Sequence, residues 1–339
     1  MTKPISVLIL GARDGGKYLF RQSPGRKLMW NNVRFSLSAS EPDNVDWLVV
    51  CHSSSIWEPI KARVDPSHTV FISMEPPAWG KPAAFFRQFS HLVSCDTSID
   101  HPNITGKNGF SWWVGLKVCF DDGHQISSII EHDYDSFSSM PIPEKMDRIS
   151  IITSGNKHFP GHYKRLRFID NLKKHPISRY IDFFGGYTNP IEDKLDGLLR
   201  YKYHIALENS SIDDYWTEKF ADPLLAYSMP IYYGCTNISS YFSDGGYITI
   251  DIDDFDRAVL IIKKALENDL FSREFDSLLS ARSKILNEYN ILQLIADICN
   301  KPASRIDEVT IYPRNYFPLP KEKFVQRVLG RVKRTISGS

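Results

Sequence analysis

The chain has 339 residues, 42% of them hydrophobic, so two α/β domains with separate cores are expected. Its formal net charge of +1 excludes a surface that is adapted throughout to nucleic acid, and we predict no nucleic-acid partner. The sequence contains no apolar stretch of transmembrane length, its first apolar run is too short for a signal peptide, and its five cysteines are scattered, all of which favours a cytoplasmic protein.

Short apolar runs separated by polar or helical stretches mark the N-terminal part of the chain. They cover residues 5–10, 33–37, 47–51, 69–73 and 91–94. Such bounded runs are typical of buried parallel strands. Asp, Ser, Pro and Met then dominate from about residue 121 to 148, which predicts a linker at the surface. The first predicted domain therefore spans residues 1–140.

A second series of alternating elements begins after this linker. Strands are predicted at 149–153, 180–185, 203–207, 231–233 and 247–250, and helices at 163–173, 191–200, 215–227 and 255–267. This alternation predicts a parallel sheet, whose ligands bind at the carboxyl ends of the strands. Helices from about 272 to 300 complete a second domain of residues 148–300. A Pro-containing segment and a basic amphipathic helix are predicted over 301–339.

The most informative stretch runs from residue 201 to 234 and reads YKYHIALENSSIDDYWTEKFADPLLAYSMPIYYG. A predicted strand ends before Asn209, a polar loop follows, and a predicted helix begins close to Thr217, Glu218 and Lys219. The amino end of a helix offers unpaired N–H groups and the positive end of its dipole, which together suit a diphosphate. Lys219 adds a full positive charge at this point.

This stretch resembles the donor motif of the family-10 glycosyltransferases, the α-1,3/α-1,4-fucosyltransferases, which reads YKF-x-x-x-FEN-(x)-Y-x-TEK and is followed by PIYWG. The intervals from Asn209 to Tyr215, Glu218 and Lys219 match those of the family. The loop SGN at 154–156, followed by Arg165, resembles the family's serine-asparagine loop and its arginine, with one extra glycine. In the first domain, FISMEPP at 71–77 resembles a Glu-Ser-Pro segment in which proline replaces the serine.

The resemblance implies a GT-B architecture, with two Rossmann-like domains that face each other across a cleft and additional C-terminal helices. It further implies that the second domain binds GDP-fucose and that the first binds the acceptor, an oligosaccharide or a lipid-linked glycan. Transfer would invert the anomeric carbon. No cofactor and no essential metal are expected.

By motif position, five residues become donor contacts, and their chemistry agrees with that role. Glu218 can accept hydrogen bonds from ribose hydroxyls, while Lys219 and Arg165 balance the charge of the leaving diphosphate. The donor set is Arg165, Asn209, Tyr215, Glu218 and Lys219. An alternative to Arg165 is its neighbour Arg167.

Glu75 is the candidate general base, which would remove the proton of the attacking acceptor hydroxyl. Asp96 and Asp100, which follow the next predicted strand, are the alternatives.

Other patterns resemble metal or nicotinamide sites, but we do not assign these functions to them. Asp251 and Asp253 form a DxD pattern at the end of a predicted strand. His158 and His162 have the spacing of a helical metal pair, but Pro160 and Gly161 separate them. The glycines at 11, 15 and 16 lack the GxGxxG spacing of a nicotinamide site.

The tail combines apolar positions at helical spacing with Lys323, Arg327, Arg331 and Arg334 on another face. This pattern indicates either a helix that binds an anionic membrane surface, at the inner face of the membrane, or a helix docked on the protein body. Alternatives to a fucosyltransferase are a transferase for another sugar nucleotide, a noncatalytic sugar-nucleotide or glycan-binding module, and, more remotely, an NAD-dependent oxidoreductase.

Overall fold

The computed structural model describes residues 3–11, 17–37, 44–51, 57–76, 82–107, 112–121, 124–157 and 160–317. The strands are β1 (Ile5–Leu10), β2 (Met29–Trp30), β3 (Val33–Ser36), β4 (Trp47–Cys51), β5 (Ile60–Val64), β6 (Thr69–Ile72), β7 (His91–Val93), β8 (Ile104–Thr105), β9 (Leu116–Asp121), β10 (His124–Ile130), β11 (Met146–Ile152), β12 (Ile181–Phe184), β13 (Tyr201–Leu207), β14 (Met229–Tyr233), β15 (Ile248–Thr249) and β16 (Asp307–Ile311). The helices are α1 (Lys17–Phe20), α2 (Ala83–Phe86), α3 (Tyr134–Ser139), α4 (Pro160–Lys174), α5 (Glu218–Leu225), α6 (Phe255–Glu267), α7 (Leu270–Arg273), α8 (Phe275–Leu286) and α9 (Ile291–Ile298).

The chain separates into two compact units. The first contains the described residues within 1–12, 33–109 and from 299 onward, and the second those within 13–32 and 110–298. Among the described ranges, none of the helices combines the length and the apolar character that spanning a bilayer requires.

The first unit is built on parallel strands in the order β3-β1-β4-β6-β7-β8. β4 and β6 are buried along their whole length, as expected for strands covered on both faces. Phe71 on β6 lies edge-to-face against Phe85 and Phe86, and this aromatic cluster anchors α2. β5 and β16 pair as a separate antiparallel ribbon.

The second unit contains a five-stranded parallel sheet in the order β12-β11-β13-β14-β15. β13 lies at its centre, with Ile205 opposite Ile151 on one side and Ile231 on the other. All three side chains are 0–1% exposed. Because parallel strands end at the same edge of a sheet, the residues that follow β13 and β14 lie close together.

The central strands and the long helices of the second series are confirmed. However, the helix predicted at 191–200 is wrong, because the structure has only a 3₁₀ turn at Lys194–Gly197. The Asp193 carboxylate accepts hydrogen bonds from the Leu195 and Gly115 amides at 2.8 and 3.0 Å, which fixes a turn here. In addition, the turn contains Gly197, a residue that disfavours helices.

The structureless linker predicted for 121–148 is also wrong. β9 and β10 form an antiparallel pair, and α3 follows with a capping box between Asp133 and Ser136. A helix as short as α3, followed by a stretch rich in Ser, Pro and Met, carries little apolar periodicity, so the pattern resembles that of a linker.

The segments 17–32 and 112–139 lie in the second unit, although the sequence assigns both to the first domain. Buried Arg21 explains this placement, because its guanidinium donates to the carbonyls of Trp112 and Val114, each at 2.6 Å. The same guanidinium lies 4.2 Å from the centre of the Trp112 ring. The predicted tail helix falls within residues 318–339, outside the described part of the chain.

Candidate functional site

Three elements of the second unit meet where β13 ends. Asn209 follows the strand, α5 begins at Glu218 with Thr217 as its N-cap, and the first turn of α4 approaches from another direction. The approach of α4 is so close that a Cβ at Gly161 would lie 1.8 Å from the Asn209 carbonyl oxygen. Only glycine permits this contact.

Glu208 organises the start of α5, a role that the sequence interpretation did not assign to it. Its carboxylate is fully buried and accepts hydrogen bonds from the Thr217 amide at 2.8 Å and the Thr217 hydroxyl at 2.7 Å. Burial raises the pKa of Glu208, although the ammonium of Lys219, 3.5 Å away, opposes this shift. Glu208 therefore joins the end of β13 to the first turn of α5.

Lys219 lies between two carboxylates. Its Nζ is 3.1 Å from Glu218 Oε1 and 3.5 Å from Glu208 Oε2. Burial alone would lower the pKa of Lys219, but these two carboxylates outweigh it and raise the pKa. Burial likewise opposes ionisation of Glu218, yet Lys219 and Lys194 hold its pKa well below the usual range. Both side chains are charged at neutral pH.

Lys194 and Asp222 extend this cluster, and the sequence interpretation missed both. Lys194 Nζ is 2.8 Å from Asp222 Oδ2 and 3.5 Å from Glu218 Oε1. Asp222 is 2% exposed, and its other oxygen accepts hydrogen bonds from the Trp113 and Val114 amides at 2.8 and 3.2 Å. The spacing of four residues between Glu218 and Asp222 on a helix was the available signal for this pair of carboxylates.

Arg165 is the buried arginine of α4, whereas Arg167 is exposed. The Nη1 of Arg165 donates a hydrogen bond to the Leu207 carbonyl at 3.3 Å. Its Nε has no hydrogen-bond partner within the described ranges. Burial lowers the pKa of Arg165, and nearby Glu208 and Glu218 oppose that shift. The guanidinium therefore belongs to the same charged cluster as Lys219.

Tyr215 and Asn209 complete the predicted donor set. Tyr215 is 2% exposed, and its hydroxyl donates to Asn209 Oδ1 at 2.9 Å. This contact orients the amide side chain, so Tyr215 supports Asn209 directly. The structure thus brings the five predicted donor residues together within one unit.

The candidate general bases lie in the first unit. Glu75 follows β6 and is partly buried, and its carbonyl accepts a hydrogen bond from the Ser73 hydroxyl at 3.4 Å. Asp96 accepts a hydrogen bond from the Ser98 hydroxyl at 2.5 Å, and exposed Asp100 forms an ion pair with Arg87. The role of Glu75 remains a prediction.

The residues that resemble metal ligands have other partners. Asp253 forms an ion pair with Lys164, and its amide donates to Asp251 Oδ1 at 2.9 Å. Within the described ranges, no three His, Cys, Asp or Glu side chains are grouped so that they could hold a metal ion. His162 is buried in α4, while His158 lies outside the described residues, as do the glycines at 15 and 16.

Residues 142–271 match the family model described as glycosyltransferase family 10 (fucosyltransferase) C-term. The chain is 34% identical over 116 residues to a putative fucosyltransferase-like protein of Arabidopsis thaliana, covering 32% of this chain and 21% of that protein. It is 30% identical over 79 residues to the alpha-(1,3)-fucosyltransferase FucT of Helicobacter pylori, covering 23% of this chain and 16% of that protein. The matched region thus spans only about a fifth of the length of these relatives.

The fold resembles a solved structure of an alpha1,3-fucosyltransferase with GDP, with a TM-score of 0.52 and 16% identity over 89% of this chain and 94% of that one. A second alpha1,3-fucosyltransferase structure gives a TM-score of 0.51, with 15% identity and 89% and 93% of the two chains covered. These matches confirm the predicted α/β fold of the GT-B class. The predicted resemblance to the family-10 glycosyltransferases is therefore confirmed, in sequence over residues 142–271 and in the fold over most of the chain.

Proposed function

We propose that this chain is a glycosyltransferase that transfers fucose from GDP-fucose to a hydroxyl of an acceptor glycan with inversion at the anomeric carbon. The observation that carries the proposal is the cluster of Lys219 and buried Arg165 at the start of α5 and the end of β13. This cluster lies inside the segment that matches the family-10 model. The relatives named as fucosyltransferases support the same reaction.

The positive charges in this cluster suit a leaving diphosphate. When the bond from the anomeric carbon to the phosphate oxygen breaks, its electron pair leaves with GDP. Lys219, Arg165 and the amide end of α5 would offset this growing charge. Glu218, which stays ionised beside Lys219, would accept hydrogen bonds from donor hydroxyls.

The acceptor side of the reaction is assigned to Glu75. Its carboxylate would take the proton of the acceptor hydroxyl as that oxygen bonds to the anomeric carbon. The acceptor is proposed to be an oligosaccharide or a lipid-linked glycan, as in lipopolysaccharide or capsule synthesis. The basic tail would hold the protein at an anionic membrane surface if the glycan is lipid-linked.

Release of GDP from GDP-fucose by the purified chain, with and without a panel of glycans, tests the proposal. GDP-mannose and UDP-sugars serve as competing donors in parallel reactions. We expect GDP release that depends on GDP-fucose and increases with a suitable acceptor. Faster turnover of another sugar nucleotide would overturn the donor assignment. Binding of GDP-fucose without turnover across the panel would indicate a noncatalytic module.

A further inference from the structure

Glu218 and Asp222 form a pair of like charges on one face of α5. They are four residues apart on the helix, where two carboxylates repel each other. Lys194 lies between them, with its Nζ at 3.5 Å from Glu218 Oε1 and 2.8 Å from Asp222 Oδ2. Lys194 therefore offsets the repulsion between these two carboxylates.

The shorter of the two ion pairs of Lys194 is the one with Asp222, at 2.8 Å. Asp222 is fixed by the Trp113 and Val114 amides, and it is almost fully buried. These two backbone hydrogen bonds hold Asp222 independently of the side chains predicted to contact the donor. Lys194 thus remains a fixed cation beside Glu218.

Lys219, the other cation that contacts Glu218, is shared between the carboxylates of Glu218 and Glu208. Its ammonium contacts Glu218 Oε1 at 3.1 Å and Glu208 Oε2 at 3.5 Å. A donor diphosphate would compete with both carboxylates for its three N–H groups. Without a second cation, Glu218 would lose charge compensation at the moment the donor binds.

We propose that Lys194 is a positioning residue that keeps Glu218 in place and ionised while Lys219 binds the donor diphosphate. Asp222 holds Lys194 in this position. The inference rests on the proposed function. The ionisable groups that act on Glu218 include Lys219 and Lys194, which favour its charged form, and Glu208, Asp222 and Arg165 nearby. Removing Lys194 leaves Glu218 between Lys219 and two buried carboxylates. Glu218 should then take up a proton at a higher pH than in the unmodified chain.

The test measures the affinity of the full-length chain for GDP-fucose by calorimetry from about pH 5 to pH 8. GDP-fucose is preferable to GDP, because its diphosphate is esterified at both ends and does not titrate in this range. The variants are Lys194→Met and Lys194→Arg, with exposed Lys263→Met as the matched control. We expect nearly constant affinity for the unmodified chain and the control. The affinity of Lys194→Met should fall about tenfold or more towards pH 5, and Lys194→Arg should restore it.

Two results would overturn the positioning role. The first is a folded Lys194→Met variant whose affinity equals that of the unmodified chain at every pH. The second is a loss that is the same at every pH and is not restored by Lys194→Arg, because that pattern belongs to a structural role. If Lys194→Met does not fold, Lys194→Gln keeps an N–H donor for Asp222 without the positive charge and should show the same pH-dependent loss. Absence of GDP-fucose binding by the unmodified chain would instead overturn the proposed function, and this role with it.

Discussion

Arg165 and Arg167 are two residues apart on α4 and have opposite environments. Arg165 is 4% exposed and its guanidinium belongs to the cluster around Lys219, while Arg167 is exposed. If the cluster binds the donor, replacing Arg165 or Lys219 by Ala removes a charged hydrogen-bond donor, each worth about 1.5–3 kcal/mol. We expect kcat/KM for GDP-fucose to fall by about tenfold to over a hundredfold.

The control for this experiment is Arg167→Ala, which removes the same charge from the same helix. Its kinetics should equal those of the unmodified chain. Unchanged donor kinetics in a folded Lys219→Ala protein would remove the basis of the donor-site assignment.

Glu75 carries the proposed acid-base chemistry but lies in the first unit, where the sequence resemblance is weakest. Glu75→Gln preserves size and hydrogen bonding but removes the basic oxygen. Transfer should therefore fall by about 10²–10⁴, while GDP-fucose affinity stays the same. Calorimetry and transfer rates on a single preparation would separate the two effects. Near-normal transfer would move attention to Asp96 or Asp100, and lost donor affinity would mean that Glu75 holds the donor.

The elements that the sequence predicted well are those with buried faces. β1, β4 and α6 have the predicted limits because bounded apolar runs and a regular helical period are strong signals. The 3₁₀ turn at Lys194–Gly197 could not be predicted in the same way, because the carboxylate of Asp193 fixes it through an amide far along the chain. The motif identified Lys219, and helical spacing could have placed Asp222 beside Glu218, but the pairing of Lys194 with both carboxylates depends on the turn and α5 lying side by side.

Lys145 joins two of the elements that carry the candidate site, β13 and α5. Its ammonium donates to the carbonyls of Leu199, Tyr201 and Ala226 at 2.7, 3.1 and 2.7 Å, so it links the start of β13 to the end of α5. Lys145→Met would remove this donor from the Leu199 and Ala226 carbonyls, while the Tyr201 carbonyl keeps its hydrogen bond from the Ser228 hydroxyl, and should lower the free energy of unfolding by about 2 kcal/mol. Denaturant unfolding measures this difference.

The effect of Lys145 should also depend on pH. Burial lowers the pKa of Lys145 to about 7, whereas the unfolded chain keeps a value near 10.5. Between these values the unfolded state binds more protons, so stability due to Lys145 rises with pH from about 7 to 10. The difference in unfolding free energy between the unmodified chain and Lys145→Met should grow over this range. A constant difference would mean that Lys145 stays charged in the folded protein.

At the scale of the whole molecule, the tail from residue 321 remains a predicted amphipathic helix with a basic face. Deleting residues 321–339 should leave turnover of a soluble acceptor unchanged and reduce binding to anionic vesicles, which co-sedimentation measures. Vesicles of neutral lipid serve as the control. An insoluble or unfolded truncated protein would show instead that the tail belongs to the protein body.

The charge distribution of the second unit predicts how transfer responds to metal removal. The cations near the end of β13 are side chains, Arg165, Lys194 and Lys219, and the dipole of α5 adds positive potential at the same point. In the carboxylate pattern that resembles a metal site, Asp253 is already paired with Lys164. We therefore expect transfer from GDP-fucose to continue in EDTA at the rate measured without it.

If EDTA abolishes transfer and Mn²⁺ restores it, the same assay on Asp251→Asn and Asp253→Asn would show whether these carboxylates hold the ion. In that case the basic side chains would share the diphosphate with a metal, and the expected loss in Lys219→Ala would be smaller.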